Sequence, residues 1–332
     1  MKFLKYIDNK LKIKTKQNFV TIIGETPSKG ARSPILWNNA YKRMKIKKIM
    51  LPLDVRKKNL KKLVLSLKAN PNFFGSAVTM PYKTTIIKYI DEIDKDAKKI
   101  GSINTIVKYK NKLIGYNTDY MGSTFTLKLI KKNIKKILIL GAGGAAKACI
   151  LSTRNLFKNS KFYFYNRNFK KLNLVLKKIK IKKNYSILKK VNDIKNLKSI
   201  DLVINTTSVG FDSKFRINNN YYNLIKRSPV GRVGNKNDYI TNKIQNDYNL
   251  LKLNQSNIYD TVRFFVKNPK VIIFDIIYNP RKTILIQLGE IFELRTINGL
   301  SMNLMQAVFA FKLVNKINNL NQIKKGMIGN GQ

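Results

Sequence analysis

A short apolar run, Lys136-Ile137-Leu138-Ile139-Leu140, passes without a break into Gly141-Ala142-Gly143-Gly144-Ala145-Ala146. No other segment narrows the possible folds as much. A run this short, bounded by glycines, reads as a buried strand rather than a helix. The first glycine permits a tight turn, and the small residues after it let a helix start close against the strand it leaves. The segment predicts a strand–turn–helix unit of the kind that builds parallel sheets.

Short β-rich runs alternate with longer amphipathic stretches on both sides of it. Towards the N-terminus, Val20 to Gly24, Lys48 to Val55 and Gly75 to Met80 read as strands. Pro34 to Met44, with Ser33 as N-cap, and Lys58 to Leu67 read as helices between them. Two apolar runs between Ser102 and Tyr116 meet at Lys110-Asn111-Lys112, which suggests a hairpin. A helix is expected over Gly122 to Lys132. After the glycine turn, Phe162 to Tyr165, Leu202 to Asn205 and Val271 to Ile277 read as strands, and Thr283 to Leu288 and Met302 to Ile317 as helices. The polar stretch 212–270 is too long for an ordinary loop and is expected to be an insertion. Gln322 to Gln332 reads as a frayed tail.

Composition removes several classes of function. Histidine is absent, which excludes His-based triads, His-metal sites and imidazole acid–base chemistry. Any general acid or base is then Lys, Asp, Glu, Tyr or Cys, and no metal is expected. The single cysteine, Cys149, rules out an intrachain disulfide and points to a reducing cytoplasm. No apolar run reaches the roughly 18 residues of a membrane span, and Met1 to Lys12 lacks the apolar core of a signal peptide. The balance of 66 Lys+Arg against 17 Asp+Glu, a net +49, raises a nucleic-acid partner. The excess is nearly all Lys, however, with no Arg-rich stripe and no nucleic-acid motif. It reads as charge spread over every solvated face, and it still draws in anionic substrates and phosphorylated cofactors.

The glycine turn fits G-x-G-x-x-G/A with Gly141, Gly143 and Ala146. Gly143 lets the backbone approach a pyrophosphate, and Ala142, Gly144 and Ala145 complete a loop that ends at a helix N-terminus. An NAD site usually places an acid about 20 residues further on. This chain instead has Tyr165-Asn166-Arg167-Asn168, with Lys170 and Lys171 behind. A carboxylate would repel a ribose phosphate, whereas a guanidinium pairs with it, so NADP is the expected cofactor.

Three clusters in the first half combine polar chemistry with strand ends: Thr79-Met80-Pro81-Tyr82-Lys83, Gly101-Ser102-Ile103-Asn104-Thr105 and Gly115-Tyr116-Asn117-Thr118-Asp119. Strand ends are where open α/β sheets bind ligands. With histidine missing, Lys83 and Asp119 form the natural pair to deliver a proton to a developing alkoxide.

In order and spacing, VTMPYK, GSINT, GYNTD and GAGGAA resemble the shikimate dehydrogenase family. Asp201 to Phe211 (DLVINTTSVGF), Phe274 to Pro280 (FDIIYNP) and Asn298-Gly299-Leu300 with Gln306 extend the resemblance over most of residues 20–318. The resemblance implies Lys83 as catalytic acid/base with Asp119 as its partner. It implies Thr79, Asn104 and Gln306 on substrate hydroxyls and Tyr278 near the carboxylate. Asn166 and Arg167 would take the ribose phosphate, with Thr206, Ser208 and Gly299 beside the rest of the cofactor. The family's carboxylate-binding serines usually stand as S-x-S-P, often after a histidine. Here the segment is Ser28-Lys29-Gly30-Ala31-Arg32-Ser33-Pro34, with the serines five apart. Either Ser28 and Ser33 still converge, or Arg32 or Lys29 has taken over the carboxylate.

The resulting expectation is an α/β protein with an N-terminal substrate-binding domain over 1–121, completed by a returning helix at 300–320. A Rossmann domain over 122–299 carries the insertion, and the cleft lies between the two. The implied activity is NADP-dependent, reversible reduction of 3-dehydroshikimate to shikimate, on the route to aromatic amino acids. The alternatives are the same chemistry on quinate or an amino-shikimate, and a basic nucleic-acid-binding protein on a Rossmann scaffold. The expected partner is the small-molecule substrate, not a membrane or nucleic acid, for a cytoplasmic monomer or homodimer.

Overall fold

A computed structural model describes residues 1–181, 184–210 and 255–329. The chain divides into two compact units. Met1–Leu129, Leu151–Thr153 and Ser301–Gln332 form the first; Ile130–Ile150 and Arg154–Leu300 form the second.

The first unit is built on β1 (Phe19–Gly24), β2 (Ile49–Asp54), β3 (Phe73–Val78), β4 (Glu92–Ile93), β5 (Thr105–Tyr109) and β6 (Lys112–Tyr116), in the order β2-β1-β3-β5-β6-β4. β1 runs parallel to both its neighbours, and β5 runs antiparallel to β3 and β6. Every residue of β1 is buried, which explains its continuous apolar run: both faces of the strand are covered. Phe19 and Ile23 point into one cluster with Phe3, Leu51, Leu60 and Leu63, whereas Val20 and Ile22 point into another with Trp37, Tyr41 and Phe311. This is the two-residue period of a strand. Lys110 takes a left-handed conformation, φ 52°, in the expected hairpin turn.

Helices α1 (Ser33–Arg43), α2 (Leu60–Lys68) and α3 (Lys95–Ile100) connect these strands, and α4 (Thr118–Lys128) follows β6. Two boundaries differ from the sequence expectation. Ser33 is the first helical residue of α1 rather than its cap, a position held by Arg32. α4 starts at Thr118 instead of Gly122 because the Asn117 side chain accepts the Tyr120 N–H at 3.0 Å, fixing the helix start a turn earlier.

The second unit holds β7 (Lys136–Leu140), β8 (Lys161–Tyr165), β9 (Tyr185–Ile187), β10 (Leu202–Asn205), β11 (Ile272–Asp275) and β12 (Thr296–Ile297). All pairings are parallel, in the order β12-β11-β10-β7-β8-β9. That is the doubly wound order, with the reversal between β7 and β10. α5 (Gly144–Leu156), α6 (Phe169–Ile179), α7 (Val191–Lys195), α8 (residues 255–267) and α9 (Ile284–Ile291) accompany the sheet. Residues 212–254 of the expected insertion lie outside the described residues. Its last part is regular: α8 buries Phe264 and Phe265 in one core with Leu138, Val203 and Ile273.

α10 (Gly299–Asn315) and α11 (Leu320–Ile328) end the chain. The expected frayed tail is in fact helical over α11. Asn319 caps it by accepting the Gln322 N–H at 3.0 Å, and Ile323 and Met327, one turn apart, are buried in the cluster that holds Trp37 and Tyr41. Arg43 at the end of α1 donates to the Gly326 carbonyl at 2.8 Å.

Candidate functional site

In the first unit the three loop clusters come together through side chains. Lys83 lies in the turn after β3, Asn104 directly before β5, and Asp119 in the first turn of α4. The Lys83 Nζ donates to Asp119 Oδ2 at 2.7 Å, and Asn104 Nδ2 donates to Asp119 Oδ1 at 2.9 Å. Both carboxylate oxygens are thereby fixed. Asn104 is itself held: its Oδ1 accepts from the Thr118 N–H at 2.7 Å and from the hydroxyls of Thr118 and Thr105 at 3.1 and 3.2 Å. Those donors settle which way the amide points, so its NH2 must face the carboxylate. Gln306 on α10 joins the set, its Oε1 accepting from Asn104 Nδ2 at 3.4 Å.

The side chains of Lys83 and Asp119 remain 26% and 13% exposed. The pair is ordered by its neighbours and still open to a ligand. A Lys ammonium held this way can give a proton to an oxygen beside it, and the adjoining carboxylate can receive a hydroxyl. Thr79, half-buried, directly follows β3 on the way to Lys83, and its carbonyl accepts the Tyr82 N–H at 3.0 Å.

The two serines of the segment sit in different settings. Ser28 is exposed, and both its N–H and its hydroxyl are turned to the Asp54 carboxylate, the N–H at 2.8 Å. Ser33 opens α1. Arg32, between them, reaches α10: its Nη1 donates to Asn303 Oδ1 at 2.9 Å. Asn303 was not singled out from the sequence, and Thr118 stood in the third cluster without a role of its own. Asn303 lies three residues before Gln306, one turn away on the same helix, and that spacing is the signal that could have found it.

In the second unit the site is mainly backbone. Gly141 has φ 107°, and a Cβ there would come within 2.6 Å of Thr206 Oγ1. Only glycine fits both the conformation and the space. Gly143 and Gly144 face open space within 4 Å of where a Cβ would stand, while Ala142 and Ala146 are buried. A cofactor pyrophosphate fits such a loop: it has bare backbone on its open side and the start of α5 directly beyond. Thr206 spans the turn, its N–H and hydroxyl donating to the Leu140 carbonyl at 2.8 and 2.6 Å. Ser208 is exposed in the loop after β10.

At the end of β8, Asn166 to Lys171 line an open depression. Asn166 donates to the Asn168 carbonyl at 2.8 Å, Asn168 caps α6, and Arg167 is exposed. Lys147 on α5 has its pKa lowered by burial and by the charges of Lys178 and Lys171. Arg167, Lys170 and Lys171 line the depression, and a ribose phosphate placed there would relieve the repulsion among such cations.

Gly299 is packed where a side chain would overlap the Ile276 carbonyl, and Tyr278 is half-buried in the segment after β11. Asp275, at the end of β11, was also missed. It is fully buried and accepts from Asn205 Nδ2 at 3.1 Å, the Ile277 N–H at 3.1 Å and the Thr283 hydroxyl at 2.7 Å. Burial pushes its carboxyl up to about 6, against the pull of those donors. It ties the loops after β10 and β11 to the start of α9.

The chain is similar to known proteins. Residues 22–106 match the family model of the shikimate dehydrogenase substrate binding domain. Over 308 residues the chain is 33% identical to the shikimate dehydrogenase (NADP(+)) of Methanococcus maripaludis, covering 91% of this chain and 93% of that protein. A crystal structure of a shikimate dehydrogenase in complex with NADP+ superposes with a TM-score of 0.70 at 28% identity, over 96% of each chain. A structure of the Listeria monocytogenes shikimate 5-dehydrogenase in complex with shikimate and NAD also gives 0.70, at 25% identity over 96% of this chain and 98% of that one. With the substrate-domain match, a relative similar along nearly the whole length and two solved structures of the same fold, the chain belongs to the shikimate dehydrogenase family.

Proposed function

We propose that the chain catalyses the reversible, NADP-dependent reduction of 3-dehydroshikimate to shikimate. The observation that carries this reading is the Lys83–Asp119 contact at 2.7 Å, with Asn104 on the second carboxylate oxygen. NADPH, when bound, supplies the hydride, so that 3-dehydroshikimate, NADPH and a proton become shikimate and NADP+. Lys83 holds the carbonyl oxygen that becomes a hydroxyl and gives it the proton. Asp119 orients the Lys83 ammonium and accepts from a substrate hydroxyl. Thr79, Asn104 and Gln306 are neutral donors and acceptors suited to the remaining hydroxyls. Gly141 to Ala145 receive the pyrophosphate, and Asn166 and Arg167 the ribose phosphate. Thr206, Ser208 and Gly299 shape the remaining cofactor surface.

Quinate or an amino-shikimate could undergo the same chemistry with the same residues. The test is NADPH formation from shikimate and NADP+, with quinate and with NAD+ in parallel. Turnover of shikimate with NADP+ is expected, and failure on both acids with NADPH still bound would send the reading to another ketone. Among the described residues no helix is long and apolar enough to cross a membrane. We assign the enzyme to the cytoplasm, as a monomer or homodimer without a nucleic-acid partner.

A further inference from the structure

A substrate carboxylate drawn partly out of water needs a cation or several converging donors. Resting on the shikimate reading, we propose that Arg32, steered by Asn303, is the residue that binds this carboxylate. In the first unit Lys83 is already committed to Asp119, and Asn104, Gln306 and Thr79 are neutral. Arg32 is the cation that an unbroken hydrogen-bond path joins to that cluster. Its Nη1 donates to Asn303 Oδ1 at 2.9 Å; the Asn303 carbonyl accepts from Gln306 Nε2 at 3.0 Å; Gln306 Oε1 accepts from Asn104 Nδ2 at 3.4 Å.

Ser28 and Lys29 are worse placed. Ser28 turns both its donors to Asp54, and Lys29 is exposed. Arg32 directly precedes α1, an 11-residue helix whose N-terminal dipole favours an anion at the same end. A guanidinium matches a carboxylate with two parallel N–H groups, and the Asn303 bond sets its plane.

The experiment uses the full chain and steady-state oxidation of shikimate by NADP+, with shikimate methyl ester as the uncharged probe. Arg32→Gln is expected to raise KM for shikimate by about 10–100-fold, the usual loss for a charge-assisted pair. Its kcat and its KM for NADP+ should stay within about threefold, as for a group that binds ground state and transition state equally. The preference of the unaltered chain for acid over ester should collapse, and Arg32→Lys should restore part of it. Asn303→Leu, which removes a positioning residue, should raise KM less, and add little on top of Arg32→Gln because the two act through one group. If Arg32→Gln does not fold, Arg32→Lys and Asn303→Leu carry the same comparison. Unchanged KM and an unchanged acid-to-ester ratio overturn the assignment while leaving the shikimate reading intact. No turnover of shikimate by the unaltered chain overturns both.

Discussion

In the first unit the candidate site is a set of side chains that hold one another: Lys83 on Asp119, Asp119 on Asn104, Asn104 on Thr118 and Gln306. In the second it is chiefly backbone, a glycine turn whose space is set by Thr206, with exposed cations such as Arg167 in the depression at the end of β8. Their aspartates show the same contrast. Asp119 answers a cation and stays partly open, whereas Asp275 is sealed in and answers neutral donors. A side-chain site can aim a proton, but each member depends on the next. A backbone loop can seat a phosphate with no charged group at risk. Substitutions in the first unit should therefore act on turnover, and those in the second on cofactor affinity and on stability.

The largest effect is expected where the chain of side chains ends in chemistry. Lys83→Ala should lower kcat by roughly 10²–10⁴-fold, the range of a general acid, with NADPH affinity and circular dichroism unchanged. Near-normal turnover in a folded Lys83→Ala protein would end the acid–base assignment and with it the contrast between the units.

Asp275 tests the sealed carboxylate. Its folded value of about 6 lies above the ordinary 3.8, so the folded state favours the protonated form. The stability this group contributes is full below the unfolded value and is lost as pH rises towards the folded one. The gap corresponds to on the order of 3 kcal/mol. Urea unfolding between about pH 4 and pH 7 should show a decline in the unaltered chain that Asp275→Asn lacks. Parallel pH curves for the two proteins would mean that the carboxyl is not desolvated in the folded state.

Arg167→Ala should raise KM for NADP+ by about 10–100-fold, as the loss of a charge-assisted phosphate contact does. KM for NAD+ and kcat should barely move. Equal losses with both dinucleotides would place Arg167 on shared parts of the cofactor rather than on the ribose phosphate.

How far the sequence foretold this depends on whether the signal is local. Lys136–Leu140 and Leu202–Asn205 are the strands that their apolar runs predict, because a buried parallel strand needs no partner to be recognised. The glycine loop was legible for the same reason. α6 was not anticipated, although Leu172, Val175, Leu176 and Ile179 are buried at helical spacing; the lysines between them masked the pattern. The reading of α11 as a tail failed in the same way, since Ile323 and Met327 matter only once α1 is there to cover them. In the site, Lys83 and Asp119 stand in recognisable clusters, while Asn303 and Asp275 act through contacts that only the fold makes.

Ser28→Ala carries the smallest expected effect and bears most directly on the substrate side. By family resemblance Ser28 would bind the carboxylate, yet its hydroxyl is spent on Asp54. If that bond is its role, removing it costs about 1 kcal/mol of stability, a fall of roughly 2–4 °C in Tm for a unit of this size. KM for shikimate should then stay within about twofold, since no contact made by bound substrate is lost. A large rise in KM with an unchanged Tm would mean the opposite: the segment around Ser28 rearranges when substrate arrives, and the hydroxyl leaves Asp54 for the carboxylate. The side chains of the first unit would then be a resting arrangement, reset by the ligand, while the glycine loop of the second unit is formed beforehand.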